Sequence, residues 1–398
     1  MTPHSHRPRR SRLAKALVAL ILMALLGTAC STSDSSSDCP PRAIAFMGPI
    51  TGSNGADGRM FRSGIETALA VAEEKGALGG CPVGLITFDT RADPQVAKAM
   101  ATRIAEDPQI LAVVGPSYSG ETAAAMPILE AANVPVITAS ATNPELGTKG
   151  WRWFHRVVVD DATQGPAAAA YMVERFAVRT VAVVDDGSLY GKGLADLVAN
   201  ALGSRGVVVA PRLQVEAERL DYRVAVESIR SLGADAVYFG GVTGPAARLV
   251  RQLRNAGVTA DFVTGDAVFS PEFLTLAGSA AEGATLTCPC TIGGTGAAAR
   301  EFDAAFQRLT GTVPSSYAAE YADATRLVLD ALAAGARTRA QVEKSLDGAD
   351  VEGITKQLSF DADGQIRRGP VFVFTVTNGA FVPAATVERG VVNLVPTN

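Results

Sequence analysis

From residue 42 onward, short runs that are apolar at every position alternate with longer stretches of helical periodicity. AIAFM at 43–47 leads to FRSGIETALAVAEEKG at 61–76, GLITF at 84–88 to PQVAKAMATRIAE at 94–106, and LAVVG at 111–115 to ETAAAMPILEAAN at 121–133, before PVITA at 135–139. A strand with no polar face must be covered on both sides, so continuous rather than alternating hydrophobicity predicts a parallel sheet between layers of helices. The rhythm restarts near residue 180 with TVAVV, YGKGLADLVANALGSRG and VVVA, and continues through DAVYF, PAARLVRQLRNAG and DFVTG at 261–265. Two such units predict two doubly wound α/β lobes.

In open parallel sheets ligands sit beyond the carboxyl ends of the strands. The polar loops fall there: GPITGSNG at 48–55, GPSYSGET at 115–122 and TASATNPEL at 138–146 in the first unit, DDGSLYG at 185–191 and GDAVFSPE at 265–272 in the second. GPSYSG misses the G-x-S-x-G nucleophile elbow, because Ser119 stands where glycine is needed, and His155 on the WFHRVVV run is the sole candidate base. GKGLAD lacks the third glycine of a dinucleotide fingerprint. Hydrolysis and nucleotide binding are therefore set aside, and the chain is not expected to be an enzyme or to need a cofactor.

The hydroxyl-rich loops remain. Ser119 and Thr142 each precede a helical stretch and have a simple alternative role as N-caps. Together with helix amides they also suit a carboxylate. Asp266, at a strand end of the second unit, reads either as a solvated turn residue or as an acid facing those hydroxyls. One ligand with its carboxylate held by the first unit and its ammonium by Asp266 would be an α-amino acid.

The N-terminus carries Arg7, Arg9, Arg10, Arg12 and Lys15 ahead of ALVALILMALLG, the pattern of a signal peptide over residues 1–29. LLGTAC resembles a bacterial lipobox, with Cys30 lipidated and STSDSSSD (31–38) as a flexible tether reaching on the order of 15 Å. Arg9-Arg10 leaves the export route, general secretory or twin-arginine, open. The signal segment has five basic residues and no acid, so its removal takes the formal charge from −4 to −9 and disfavours nucleic acid as a partner. Cys39 and Cys81 sit just before the first two strands, which would bring them together as a disulfide. Cys288 and Cys290 flank Pro289; a strained bridge, free thiols and a labile redox pair all remain open. A zinc site lacks ligands, since His155 is the one histidine after the signal peptide.

From about residue 42 to 385 the chain resembles the leucine/isoleucine/valine-binding proteins of bacterial ABC importers, with the type I periplasmic binding fold. GPITG, GPSYSGET, VPVITASATNPEL at 134–146, DDATQGPAAAAYMVE at 160–174, YGKGLAD at 190–196 and VYFGG at 237–241 carry the resemblance. It implies that Ser119, Ala141 and Thr142, with the backbone at Ser140, grip a ligand carboxylate and share its ammonium. Asp266 stands where the family usually has glutamate completing the ammonium site, and Tyr190 matches a tyrosine lining the second lobe. Tyr118 joins the candidates from the same loop. Val242 and Asn54 depart from family aromatics in the side-chain pocket. The resemblance also implies three crossings between lobes, residues 39–160 with 291–368 forming the first and 161–290 with 369–398 the second. It implies a monomer attached to the membrane by its lipid alone, handing a branched-chain or related small amino acid to an ABC permease. Alternatives on the same fold are a binder of amides, urea or aromatic acids, or a ligand-sensing receptor subunit, although no output domain precedes Asn398.

Overall fold

The computed structural model describes residue 1, residues 39–291 and residues 296–395. The chain divides into Met1–Pro40 and Pro41–Asn398. The expectations for the signal peptide, Cys30 and the tether fall outside the described residues beyond Met1.

Five parallel strands form the first sheet: β1 (Ala43–Gly48), β2 (Gly84–Asp89), β3 (Ile110–Val114), β4 (Val136–Thr138) and β5 (Phe154–Arg156), in the order β2-β1-β3-β4-β5. Every residue of β1 and β3 is buried, as their unbroken apolar runs require, whereas β2 at the edge is partly exposed. The helix Pro94–Glu106 begins where the sequence marks it. The Asp93 side chain accepts the Gln95 and Val96 N–H groups, and Pro94 occupies a first-turn position that needs no donor.

The second sheet is mixed. β6 (Thr180–Asp185), β7 (Val208–Val209), β8 (Leu213–Gln214), β9 (Ala236–Gly240), β10 (Asp261–Thr264) and β11 (Thr285–Cys288) are its parallel part. β12 (Asp350–Glu352) and β13 (Gln357–Ser359) form a separate small ladder. β14 (Val371–Thr377), β15 (Ala380–Glu388) and β16 (Val391–Leu394) then add antiparallel strands beyond β11. The doubly wound parallel sheets expected from the sequence are present, and the antiparallel strands are an addition at one edge. The reason is local: Asn378 and Gly379 both take positive φ, 53° and 72°, which makes the tight hairpin turn that joins antiparallel neighbours without a crossover helix.

The helix Ala318–Ala333 follows β11 in sequence yet packs on the helix Gly55–Glu74 and against β3 and β4 of the first sheet. Tyr321 stacks on Phe61 at 4.6 Å and meets Phe46 edge-on at 5.8 Å, an aromatic cluster that fixes this return passage. Cys288 and Cys290 are bridged and fully buried at the end of β11, which closes the alternatives the sequence left open. Cys39 and Cys81 are each disulfide-bonded. Among the described residues no helix is long and apolar enough to cross a membrane.

Candidate functional site

The GPSYSG loop leaves β3 through Gly115, whose φ is +115° and whose position would put a side chain 2.3 Å from the Met47 carbonyl on β1. Only glycine fits there. The helix Ser119–Ala131 starts immediately, and the Tyr118 N–H donates to the Glu121 carboxylate at 3.1 Å. Ser119 is inside the helix rather than at its cap; its Oγ accepts the Asn143 N–H at 3.2 Å and so ties this loop to the one after β4. In that second loop Asn143, not Thr142, is the cap, its Oδ1 accepting the Glu145 N–H at 2.8 Å. The capping reading fails for both hydroxyls.

Ser140 Oγ donates to the Ser117 carbonyl at 2.8 Å and meets the Tyr321 hydroxyl at 2.9 Å. The Ala141 N–H is engaged by Thr138 Oγ1 at 3.1 Å, and its carbonyl accepts from buried Arg156 at 3.1 Å. Arg156 also holds the Asn143 carbonyl at 2.9 Å and Gln365 Oε1 at 2.8 Å, bracing the loop from beneath. Thr142 Oγ1 is buried and makes no hydrogen bond. Neither Ala141 nor Thr142 is among the described residues lining the cavity below, and the Thr142 hydroxyl keeps its hydrogen-bonding capacity unused.

Asp266 follows β10. It is buried and accepts three hydrogen bonds: Tyr190 hydroxyl and Gln164 Nε2 at 2.8 Å each on Oδ1, and Tyr317 hydroxyl at 2.6 Å on Oδ2. It is no solvated turn aspartate. A side chain at Gly265 would come within 2.5 Å of the Tyr190 hydroxyl, so glycine admits the tyrosine to the carboxylate. Burial pushes the Asp266 carboxyl up, while Tyr317, Tyr190 and Gln164 hold it down. Asp161, at the start of the helix Asp161–Phe176, lies deeper. Burial first and the Asp266 charge second push its carboxyl well up, and neither oxygen closes a hydrogen bond, although the Thr142 hydroxyl is near enough to favour its charge.

Both half-sites line one cavity. Asp57, Phe61, Ser117, Tyr118, Ser119 and Ser140 contribute from residues 57–140; Tyr190, Asp266, Ala267 and Phe269 face them, and Ser316 and Tyr317 complete the wall. The cavity itself is small, about 20 Å³. Val242 and Asn54 are placed elsewhere, on a wider outer mouth that Tyr118, Ser119 and Tyr190 share. The Val242 N–H donates to Asp186 at 3.0 Å, and Asn54 Nδ2 donates to the Tyr118 hydroxyl at 2.9 Å. Asp57, three residues past Asn54, is the member of that loop that reaches the cavity.

Sequence reasoning passed over Ser117, Asp57, Gln164 and Tyr317. Ser117 and Gln164 lie inside motifs already singled out, GPSYSG and DDATQGP, and were within reach; Tyr317 comes from a distant segment that only the return passage brings near.

Away from this cavity His155 on β5 meets Glu343 at 3.8 Å and Asp347 at 3.5 Å, three groups within 4.8 Å that a cation could join. Burial pushes the His155 imidazole down to about 4 and the Glu343 carboxyl up to about 8, so the buried pair is uncharged near neutrality. Burial likewise raises Glu121 and Glu320 to about 7 and Asp57 to about 6. A carboxyl with a raised folded pKa stabilises the fold below its unfolded pKa and loses that contribution as pH climbs through the folded value. His155, lowered, penalises the fold only as pH falls below about 6.5. On these groups the chain should therefore lose stability as pH rises from about 5 to about 8.5, four raised carboxyls outweighing one lowered imidazole. A melting temperature that rises steadily across that interval would contradict these buried acids.

A family profile described as periplasmic binding protein matches residues 41–380. The chain is 33% identical over 246 residues to the leucine-, isoleucine-, valine-, threonine- and alanine-binding protein of Pseudomonas aeruginosa, 62% of this chain and 66% of that one. With an amino acid binding protein of the same organism the match covers 63% of the relative, so the chain spans just under two thirds of both. It is 30% identical over 327 residues to the Leu/Ile/Val/Thr-binding protein of Salmonella typhimurium, covering 81% of this chain and 88% of the relative. Among solved structures, a leucine binding protein of Thermotoga maritima superposes with a TM-score of 0.81 at 28% identity, covering 87% of this chain and 99% of that one. A branched-chain amino acid transporter substrate-binding protein of Streptococcus pneumoniae, in complex with isoleucine, gives 0.80 at 26%, covering 89% and 99%.

Proposed function

This chain belongs to the periplasmic binding protein family, on its leucine/isoleucine/valine-binding branch, and on that footing we propose that it captures a branched-chain or related small amino acid outside the cytoplasm and delivers it to an ABC importer. The observation that carries the reading is the single cavity shared by the hydroxyl loops and Asp266. Ser117, Ser119, Ser140 and the first-turn amides of the helix Ser119–Ala131 receive the α-carboxylate, because the first N–H groups of a helix lack intrahelical acceptors and favour an anion. Asp266 receives the ammonium, oriented by Tyr190, Tyr317 and Gln164. Thr142 and Asp161 support the two half-sites from behind.

Three or four charge-assisted hydrogen bonds at about 1.5–3 kcal/mol each offset the entropy of capture and leave about −8 kcal/mol, a micromolar complex. Residues 39–160 with 291–368 form one lobe and 161–290 with 369–398 the other, hinged at three crossings. Ligand contacts to both lobes exist only when they are closed, so binding shifts the population toward closure. The Tyr317–Asp266 bond joins residues of the two proposed lobes directly. The protein acts as a monomer, carries no catalytic group, and is held to the membrane through lipid on Cys30.

A thermal-shift panel of small α-amino acids against urea, aliphatic amides and benzoate tests this. Stabilisation confined to the α-amino acids is expected; stabilisation by amides or aromatic acids alone would replace the reading with that alternative.

A further inference from the structure

The zwitterion does not use every charged group in the cavity. Asp57, in the first turn of the helix Gly55–Glu74, is buried and lines the same space as Asp266. Its Oδ2 accepts from the Tyr118 hydroxyl at 3.2 Å, and that hydroxyl in turn accepts from Asn54. Ser270 also hydrogen-bonds the Asp57 carboxyl, while the nearest cation in sequence, Arg59, is exposed, donates to the Ile50 carbonyl at 2.8 Å and acts on Asp57 only through its charge. No lysine or arginine is among the described residues lining the cavity. With Asp266 assigned to the ammonium, Asp57 is a second carboxylate facing whatever lies beyond the ligand's α-carbon.

Asp57 is already buried and its close partners are the neutral hydroxyls of Tyr118 and Ser270, so a purely aliphatic side chain there would leave its charge without an opposite charge in the cavity, which is costly. A side chain ending in an ammonium would supply the missing opposite charge, while Phe61 and Phe269 in the same wall suit the methylenes that carry it. We propose that Asp57 selects an α-amino acid with a short cationic side chain, a diamino acid, over its aliphatic isosteres. The proposal rests on the reading of the site as an α-amino acid pocket, and it names the related amino acid in place of a branched-chain one.

The isosteric pair L-2,4-diaminobutyrate and L-norvaline tests it, because the two differ by one terminal ammonium in place of a methyl. Calorimetry on the full chain should show the diamino acid bound at least tenfold more tightly. In Asp57→Asn, which keeps a polar partner for Tyr118, that preference should fall to threefold or less, and in Asp57→Leu it should invert. Asp266→Ala should lose both ligands, a result that separates the ammonium site from the side-chain site. Norvaline or leucine binding as tightly as the diamino acid to the unaltered protein would overturn the selection by Asp57 and leave the α-amino acid pocket standing. Failure of every α-amino acid to bind would remove both.

Discussion

Asp266→Ala is expected to weaken amino-acid binding at least tenfold, with a full cost of about 2–5 kcal/mol, the range for removing one partner of a buried, hydrogen-bonded charge pair. The carboxylate is buried and already oriented by two tyrosine hydroxyls and an amide, so its charge acts on a ligand with little screening by water. Truncation also leaves Tyr190, Tyr317 and Gln164 without their shared acceptor, which costs stability in its own right. Asp266→Asn narrows the two effects: it removes the charge and keeps one of the two acceptor oxygens, turning the other into a donor amide. Calorimetry on both variants decides the matter, and unchanged affinity in either would take Asp266 out of the ammonium site.

Gly115→Ala should disrupt both the fold and the site. At φ +115° a side chain is strained, a cost of about 1–3 kcal/mol by itself, and the added carbon would lie 2.3 Å from the Met47 carbonyl, a backbone atom of the neighbouring strand that cannot turn aside. Relief requires moving either β1 or the GPSYSG loop. We expect a loss of about 3 kcal/mol or more in unfolding free energy, together with weakened ligand binding, since Ser117 and Ser119 ride on the same loop. Chemical denaturation measures the first and calorimetry the second. A variant with wild-type stability would mean that the loop has room the structure does not provide.

Much of the architecture was legible in the chain. Unbroken apolar strands such as LAVVG have no polar face to offer water, so layers of helices on both sides of a parallel sheet follow from burial alone. The polar loops at the strand ends could be located for the same reason, and Asp266 could be named from its place after DFVTG. The antiparallel tail was not visible. Nothing in the apolar run VFVFTVT says which strand it will pair with, even though Asn378-Gly379 after it is a hairpin-turn pair.

The detailed chemistry of the cavity was decided by contacts between distant segments. Thr138 and Arg156 engage the backbone of Ala141, and from the same loop Ser140, with Ser117 from the loop before it, lines the cavity. Asn54 and Val242 flank the entrance, while Asp57 reaches the interior because the helix Gly55–Glu74 starts one residue after Asn54 and turns its first turn inward. Tyr317 stands 51 residues from Asp266 and bonds it because the chain returns to the first sheet through the helix Ala318–Ala333. Periodicity is a local property, set by which faces of each element must leave water, and the sequence therefore determined the layers, the loops and the two half-sites. Which side chain points into the cavity depends on how far each element is rotated when it packs on another, and that only the tertiary structure decided.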